Sequence, residues 1–179
     1  METSLDYPDL LPEHLRYRYC PMCRGVLAST RDADGLFRAR CPDCAWTHYP
    51  NTLLGVNIVI TTPDGIVFLL PPDEPVEASA ALPGGCAEFG ETPEQAAMRE
   101  AREETELDVV IVRELGRYFK PNHAYGAMLS FIFEARAMGG TLRGSHEGRV
   151  AVITEGAVPH ISPNRRGSQR ALAAYLARG

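Results

Sequence analysis

The sequence predicts a layered α/β or α+β domain preceded by a small metal-stapled appendage, and three observations predict it. Strand-like apolar runs alternate with two amphipathic helical segments between residues 53 and 177. Four of the five cysteines crowd into residues 20–44, ahead of that domain. The chain has 179 residues, enough for one full-sized core and an appendage but not for two large domains.

Composition narrows the function classes. With 45% hydrophobic and 23% charged residues, and 14 prolines and 16 glycines dispersed along the chain, disorder is excluded as the dominant state. A formal net charge of −5 excludes a generally basic nucleic-acid surface while leaving room for a local patch. No stretch approaches the roughly 18 apolar residues of a membrane span. The best run, residues 53–60, is short and broken by Asn57. Residues 1–6 carry neither the basic nor the apolar region of a secretory signal. The expectation is a soluble, cytoplasmic protein with no membrane partner.

The appendage comes first. Cys20-Pro21-Met22-Cys23 and Cys41-Pro42-Asp43-Cys44 are two C-x-x-C pairs with 17 residues between them. That spacing falls in the window of four-thiolate zinc sites. Each tight turn presents two thiolates, and two turns close a tetrahedron with no open position, so the metal would be structural. Disulfides or a redox dithiol are the rival uses, and a reducing cytosol disfavours the former. Asp32-Ala33-Asp34-Gly35 supplies a hairpin turn between the pairs. About 35 residues can hardly fold alone, and Zn²⁺ would offset the missing core. Tyr49-Pro50-Asn51 marks the end of the ribbon. The predicted organisation is therefore an N-terminal extension over 1–16, a zinc ribbon over 17–50 and the main domain over 51–179.

In the main domain, residues 53–62 and 65–70 are β-rich runs joined by the hairpin signal Thr62-Pro63-Asp64-Gly65. Pro71–Pro75 opens a loop running to about Ala81. Residues 92–106 read as a helix: Thr92 is a good N-cap, Pro93 suits the first position and Gln95 completes a capping box. Residues 109–119, 125–137 and 150–153 read as strands. A last helix runs from about Pro163 to Ala177, with Ala171, Leu172, Tyr175 and Leu176 on its apolar face.

Chemistry concentrates on the first helix. Glu100, Glu103 and Glu104 share one side of it, because positions i, i+3 and i+4 are neighbours. Like charges oppose each other there, and the C-terminal half of a helix disfavours acids. An isolated glutamate pair is ordinarily a solvated face. Three carboxylates downstream of Gly84-Gly85, a pair that permits close approach to an ion or phosphate, point instead to a magnesium–pyrophosphate site.

Residues 82–107 closely resemble the Nudix box: Gly, five residues, Glu, seven residues, Arg-Glu, an apolar residue, any residue, Glu-Glu, any residue, Gly, apolar. Gly85, Glu91, Arg99, Glu100, Ala101, Glu103, Glu104 and Leu107 fill it at the correct spacing. Glu106 departs, standing where the family has the glycine that ends the helix. The four-cysteine ribbon followed by Tyr49-Pro50-Asn51 is similar to the zinc-ribbon branch of that family, which includes NADH pyrophosphatases and relatives acting on ADP-ribose or FAD. Ribbon and box together extend the resemblance over about residues 17–179. It implies an α/β/α sandwich with a mixed sheet. The implied reaction is Mg²⁺- or Mn²⁺-dependent hydrolysis of a nucleoside diphosphate linked to another moiety.

The resemblance also implies roles. Glu103 and Glu104 would be Mg²⁺ ligands with the Gly84 carbonyl as a third, and Glu100 either a ligand or the group that activates water. Arg99 would pair with a carboxylate such as Glu91 rather than with substrate, and Gly85 would support the turn. A further catalytic carboxylate is expected from a later loop, Glu147 first and Glu155 second, although a solvated loop acid reads the same way. His123, His146 and Arg165-Arg166 offer phosphate contacts but are as readily incidental. Cys86, Trp46 and Tyr49 read as packing residues.

Substrate choice is thinly encoded. NADH pyrophosphatases carry a Ser-Gln-Pro-Trp-Pro-Phe-Pro-like motif after the box, and the corresponding residues 118–125 lack it. Tyr118, Phe119 and Tyr125 fit a core edge better than a base-stacking wall. ADP-ribose, FAD and similar conjugates stay as candidate substrates. Removal of nucleotide caps from RNA and a non-hydrolytic nucleotide-sensing module are the alternatives, and a homodimer is a common family arrangement.

Overall fold

A computed structural model describes residues 16–70, 80–123, 126–145, 148–157, 159 and 161–178. The chain divides into two compact units. One runs to Leu53 and takes in Lys120–Met128; the other comprises Leu54–Phe119 and Leu129 onward.

In the first unit, β1 (Ala28–Arg31) and β2 (Phe37–Arg40) pair antiparallel, with Ala28 opposite Arg40 and Arg31 opposite Phe37. Asp32 closes the turn between them. Its Oδ1 accepts the N–H groups of Asp34 and Leu36, and its Oδ2 accepts Arg38 Nε at 3.1 Å. The turn is set by Asp32 itself, as Asx turns are.

The second unit holds a five-stranded sheet in the order β5-β6-β3-β4-β7. Its strands are β3 (Leu53–Thr62), β4 (Gly65–Leu70), β5 (Leu107–His123), β6 (Gly126–Gly140) and β7 (Arg149–Ile153). β4 pairs antiparallel with both β3 and β7, and outside the named strands a parallel bridge joins Ala80 to Ile161. Helices α1 (Pro93–Thr105) and α2 (Arg166–Leu176) cover opposite faces. Period-two alternation divides the core accordingly. Val56, Ile58 and Ile60 of β3 pack with Ala96, Ala97 and Ala101 of α1, whereas Val59 packs with Ala171, Leu172 and Tyr175 of α2. This is the expected α/β/α sandwich.

Boundaries moved where local chemistry outweighed pattern. β5 and β6 are longer than their apolar cores, since edge residues such as Val110 and Val112 keep the ladder while exposed. α2 starts at Arg166 rather than Pro163, because Ser162 first closes a turn that accepts the Arg165 and Asn164 N–H groups. Ala80 and Ala81, expected in a loop, bridge to Ile161 and Leu69.

Candidate active site

Helix α1 is anchored at both ends. Gln95 N–H donates to Thr92 Oγ1 at 3.2 Å and Thr92 N–H to Gln95 Oε1 at 2.9 Å, the predicted capping box. At the other end Glu106 takes a left-handed conformation (φ 56°, ψ 18°) and its N–H bonds the Arg102 carbonyl. The helix therefore stops where a family glycine would stop it, with a glutamate adopting the glycine-favoured geometry.

The small Ala96, Ala97 and Ala101 let α1 lie close to the sheet, which brings Glu100 and Glu104 to the Gly84-Gly85 turn. Gly84 N–H donates to Glu104 Oε2 at 2.8 Å, and Glu104 is only 4% exposed. The turn is held to β3 by Val56 N–H bonding the Gly85 carbonyl at 2.8 Å. A Cβ on Gly84, which sits at φ 152°, would fall 2.2 Å from the Val56 carbonyl oxygen. One on Gly85 would fall 2.3 Å from Glu100 Oε1. Gly84 is required by close approach to fixed backbone, whereas Gly85 makes room for the Glu100 carboxylate.

Arg99 occupies the centre of the acidic cluster. Its Nε bonds Glu91 Oε1 at 2.8 Å, and Nη2 bonds Glu91 Oε2 and the Cys86 carbonyl, each at 2.9 Å. Nη1 bonds Glu100 Oε1 at 3.0 Å and Glu103 Oε2 at 2.9 Å. All five guanidinium N–H donors are thus engaged. The pair with Arg99, reinforced by the Glu88 N–H, holds the Glu91 carboxyl below the usual carboxylate range. The same pairing, Glu91 foremost, keeps Arg99 firmly cationic. Cys86, expected to pack, is instead exposed; partial desolvation and the Glu100 and Glu88 charges still push its thiol up, which disfavours nucleophilic attack.

This oxygen-rich set fits a hard divalent cation. A carboxylate accepts about four bonds, so contact with Arg99 leaves capacity for one. The space that a Gly85 Cβ would fill keeps Glu100 against the turn. Gly84 meets Glu104 through its N–H.

Glu147 and His146 lie outside the described residues, as do Tyr125 and the His123 side chain. Glu155 is engaged elsewhere: Tyr175 OH donates to it at 2.5 Å and Arg178 Nη2 lies 3.4 Å away, which ties the end of α2. Those partners, Tyr175 first, lower its pKa. Arg165 and Arg166 are exposed at the start of α2. Sequence reasoning missed a polar cluster on the α2 side, where Asn57 Nδ2 donates to Ser130 Oγ at 2.7 Å and to Tyr118 OH at 3.4 Å. Gly167 closes over it, since a Cβ there would lie 2.5 Å from Asn57 Oδ1. The signal was the lone asparagine inside a β-branched run.

In the ribbon, the sulfurs of Cys20, Cys23, Cys41 and Cys44 all lie within 4.8 Å of one another and none is in a disulfide. Cys20 and Cys44 are 3.5 Å apart, Cys23 and Cys41 3.4 Å. A tetrahedral Zn²⁺ with bonds of about 2.3 Å requires sulfurs at comparable spacing. The two turns repeat each other: Arg24 (φ 66°) and Ala45 (φ 61°), each following the second cysteine, return their N–H to the Cys20 and Cys41 carbonyls. Burial opposes ionisation of Cys20, yet the N–H groups of Cys23 and Met22 bring it down to about 7. Cys23 is pushed up to about 12, the Gly25 N–H working against its Cys41 and Cys44 neighbours. Ionisation is thus favoured at Cys20 over Cys23 and Cys44, whose thiols are both raised.

Comparison with known proteins agrees with this geometry. Residues 51–163 match the model of the NUDIX domain. An ADP-ribose pyrophosphatase of Methanocaldococcus jannaschii is 32% identical over 104 residues, 58% of this chain and 62% of that protein. The NAD-capped RNA hydrolase NudC of Vibrio atlanticus is 29% identical over 126 residues, 70% of this chain and 44% of that protein. The chain thus spans about three fifths and under half of these relatives' lengths. Among solved structures, a NUDIX hydrolase from Nitrosomonas europaea superposes with a TM-score of 0.67 at 24% identity, covering 80% of this chain and 81% of its own, and so shares the fold. A family match over more than half of the chain, on a fold shared with that hydrolase, makes this protein a member of the NUDIX family.

Proposed function

We propose that the protein is a Mg²⁺- or Mn²⁺-dependent diphosphatase acting on a nucleoside diphosphate linked to another moiety, such as ADP-ribose, FAD or NADH. The observation that carries this is the meeting of Glu100 and Glu104 with the Gly84-Gly85 turn, with Glu103 joined to Glu100 through Arg99. Bound there, the divalent cation would supply charge to the attacked phosphoryl group and lower the pKa of its water. Glu103 and Glu104 would hold it, with the Gly84 carbonyl. Glu100 would hold it too or take the proton from the attacking water, and Glu147 would add a further carboxylate. Arg99, with no N–H to spare, fixes the acids in place and leaves substrate to other groups.

Residues 17–50 are read as a structural zinc ribbon and 51–179 as the catalytic domain. A reducing, cytoplasmic setting belongs to this reading, since four thiols at zinc-ligand spacing call for one. The Vibrio relative, named for its action on NAD-capped RNA, favours a second reading in which the diphosphate lies in an RNA cap.

The test is incubation with ADP-ribose, NADH, FAD, nucleoside triphosphates, sugar nucleotides and NAD-capped RNA, with and without Mg²⁺ or Mn²⁺, products being identified by mass. Two phosphate-bearing products that vanish in Glu103→Gln are expected. Metal-independent turnover, or full activity in that variant, overturns the reading.

A further inference from the structure

The ribbon carries a cleft that neither the thiol cluster nor the glutamate helix uses. It encloses about 190 Å³, and its walls include Arg16, Tyr17, Phe37, Arg38 and His48. A cavity of roughly 150 Å³ admits a benzene ring, so there is room for one aromatic heterocycle. Tyr17 meets His48 edge-on at 4.6 Å between centroids, and Trp46 lies parallel to His48 at 6.0 Å. Burial lowers the pKa of His48, which favours a neutral ring offered for stacking. Tyr17 is 51% exposed, far more than a packing role requires.

Charge selects among ligands. Residues 16–50 hold six arginines against three aspartates in a chain of net charge −5. Four thiolates on Zn²⁺ would remove two of those surplus charges and leave the ribbon positive. An acidic peptide would use the arginines and ignore the rings; an uncharged aromatic would do the reverse. Rings flanked by arginines serve both halves of a nucleotide, the base by stacking and the phosphate by charge.

We propose that this cleft binds a base of a single-stranded nucleic acid, with Tyr17 and His48 stacking on it and the ribbon arginines drawing in the adjacent phosphates. The site is separate from the glutamate helix and stands whether or not the chain hydrolyses diphosphates.

Trp46, the chain's single tryptophan, touches both stacking residues and reports on the cleft. The whole zinc-loaded chain is titrated, without Mg²⁺, with a short oligoadenylate bearing a 5′-hydroxyl, which offers no diphosphate. Saturable quenching of Trp46 is expected, weakening as salt rises. Tyr17→Ala should weaken binding about tenfold or more while Tyr17→Phe retains it, because stacking needs the ring and not the hydroxyl. AMP should bind at least about tenfold more weakly, having one phosphate. No saturable quenching, AMP binding as tight as the oligonucleotide, or wild-type affinity in Tyr17→Ala overturns the proposal. Should Tyr17→Ala fail to retain zinc, Arg16→Glu decides: lost affinity and a shallower salt slope support the site, unchanged affinity overturns it.

Discussion

Arg99 determines how three glutamates coexist on one side of a helix. Its five donors reach four acceptor groups (Glu91, the Cys86 carbonyl, Glu100 and Glu103), so the loop before α1 and the acids on it form one unit. Arg99→Lys replaces a planar fork with a point charge and cannot reproduce the bidentate grip on Glu91. We expect it to lower kcat about 10–100-fold, as loss of an orienting partner does, with weaker Mg²⁺ binding in titration. Glu103 is 58% exposed, so Glu103→Gln should melt as wild type does and lose on the order of 10²–10⁴-fold in turnover. Glu91 adds a pH dependence. Its pKa is depressed in the folded chain, so its contribution is complete above the ordinary value of 4.5 and fades as pH falls through the lower, folded one. Urea midpoints of wild type and Glu91→Gln should differ by a constant amount above pH 4.5 and converge below it. Divergence on acidification would show that Glu91 is not held by Arg99.

Helix α1 and its flanking turns show what the sequence made legible at the scale of an element. Thr92, Pro93 and Gln95 announced the start of the helix, and the structure has that capping box. The end was announced only by contrast, since Glu106 stands where a glycine belongs and local pattern could not show that a glutamate would accept φ 56°. Left-handed backbone costs an L-residue about 1–2 kcal/mol, partly offset in a glycine variant by the freer unfolded chain. Its contact with Arg143, 3.9 Å and exposed, contributes little. Glu106→Gly should therefore raise stability by about 0.5–1 kcal/mol, seen as a higher urea midpoint at unchanged slope. The upstream turn makes a contrasting pair. Gly85→Ala meets a movable carboxylate, so the fold should survive while Glu100 is displaced and turnover drops. Gly84→Ala meets the Val56 carbonyl, which cannot yield, and should destabilise by about 1–3 kcal/mol. Long-range pairing was the illegible part. The Asn57–Ser130–Tyr118 cluster joins three strands distant in sequence, and no local spacing encodes it.

At the scale of the whole molecule, two units rest on different physics. The Leu54–Phe119 and Leu129-onward unit buries two apolar clusters, one against each helix, and needs no staple. The ribbon has a hairpin of two four-residue strands and four sulfurs within 4.8 Å; Cys20 and Cys41 are its buried apolar centre. On the structural-zinc reading its stability is coupled to metal; the cysteine spacing suggests that site, and the repeated left-handed turns at Arg24 and Ala45 bring the four sulfurs together. That asymmetry predicts unfolding in two steps rather than one. Removing Zn²⁺ with a strong chelator should shift Trp46 emission to the red, since Trp46 packs against Tyr17 and His48 of the ribbon, while most far-UV helical signal from α1 and α2 persists. Heating the holo protein should likewise separate a metal-dependent transition, reported by Trp46, from the sheet's own. A single coincident transition in both signals, unmoved by chelation, would mean that the ribbon is held by the rest of the chain and that its thiols are not what folds it.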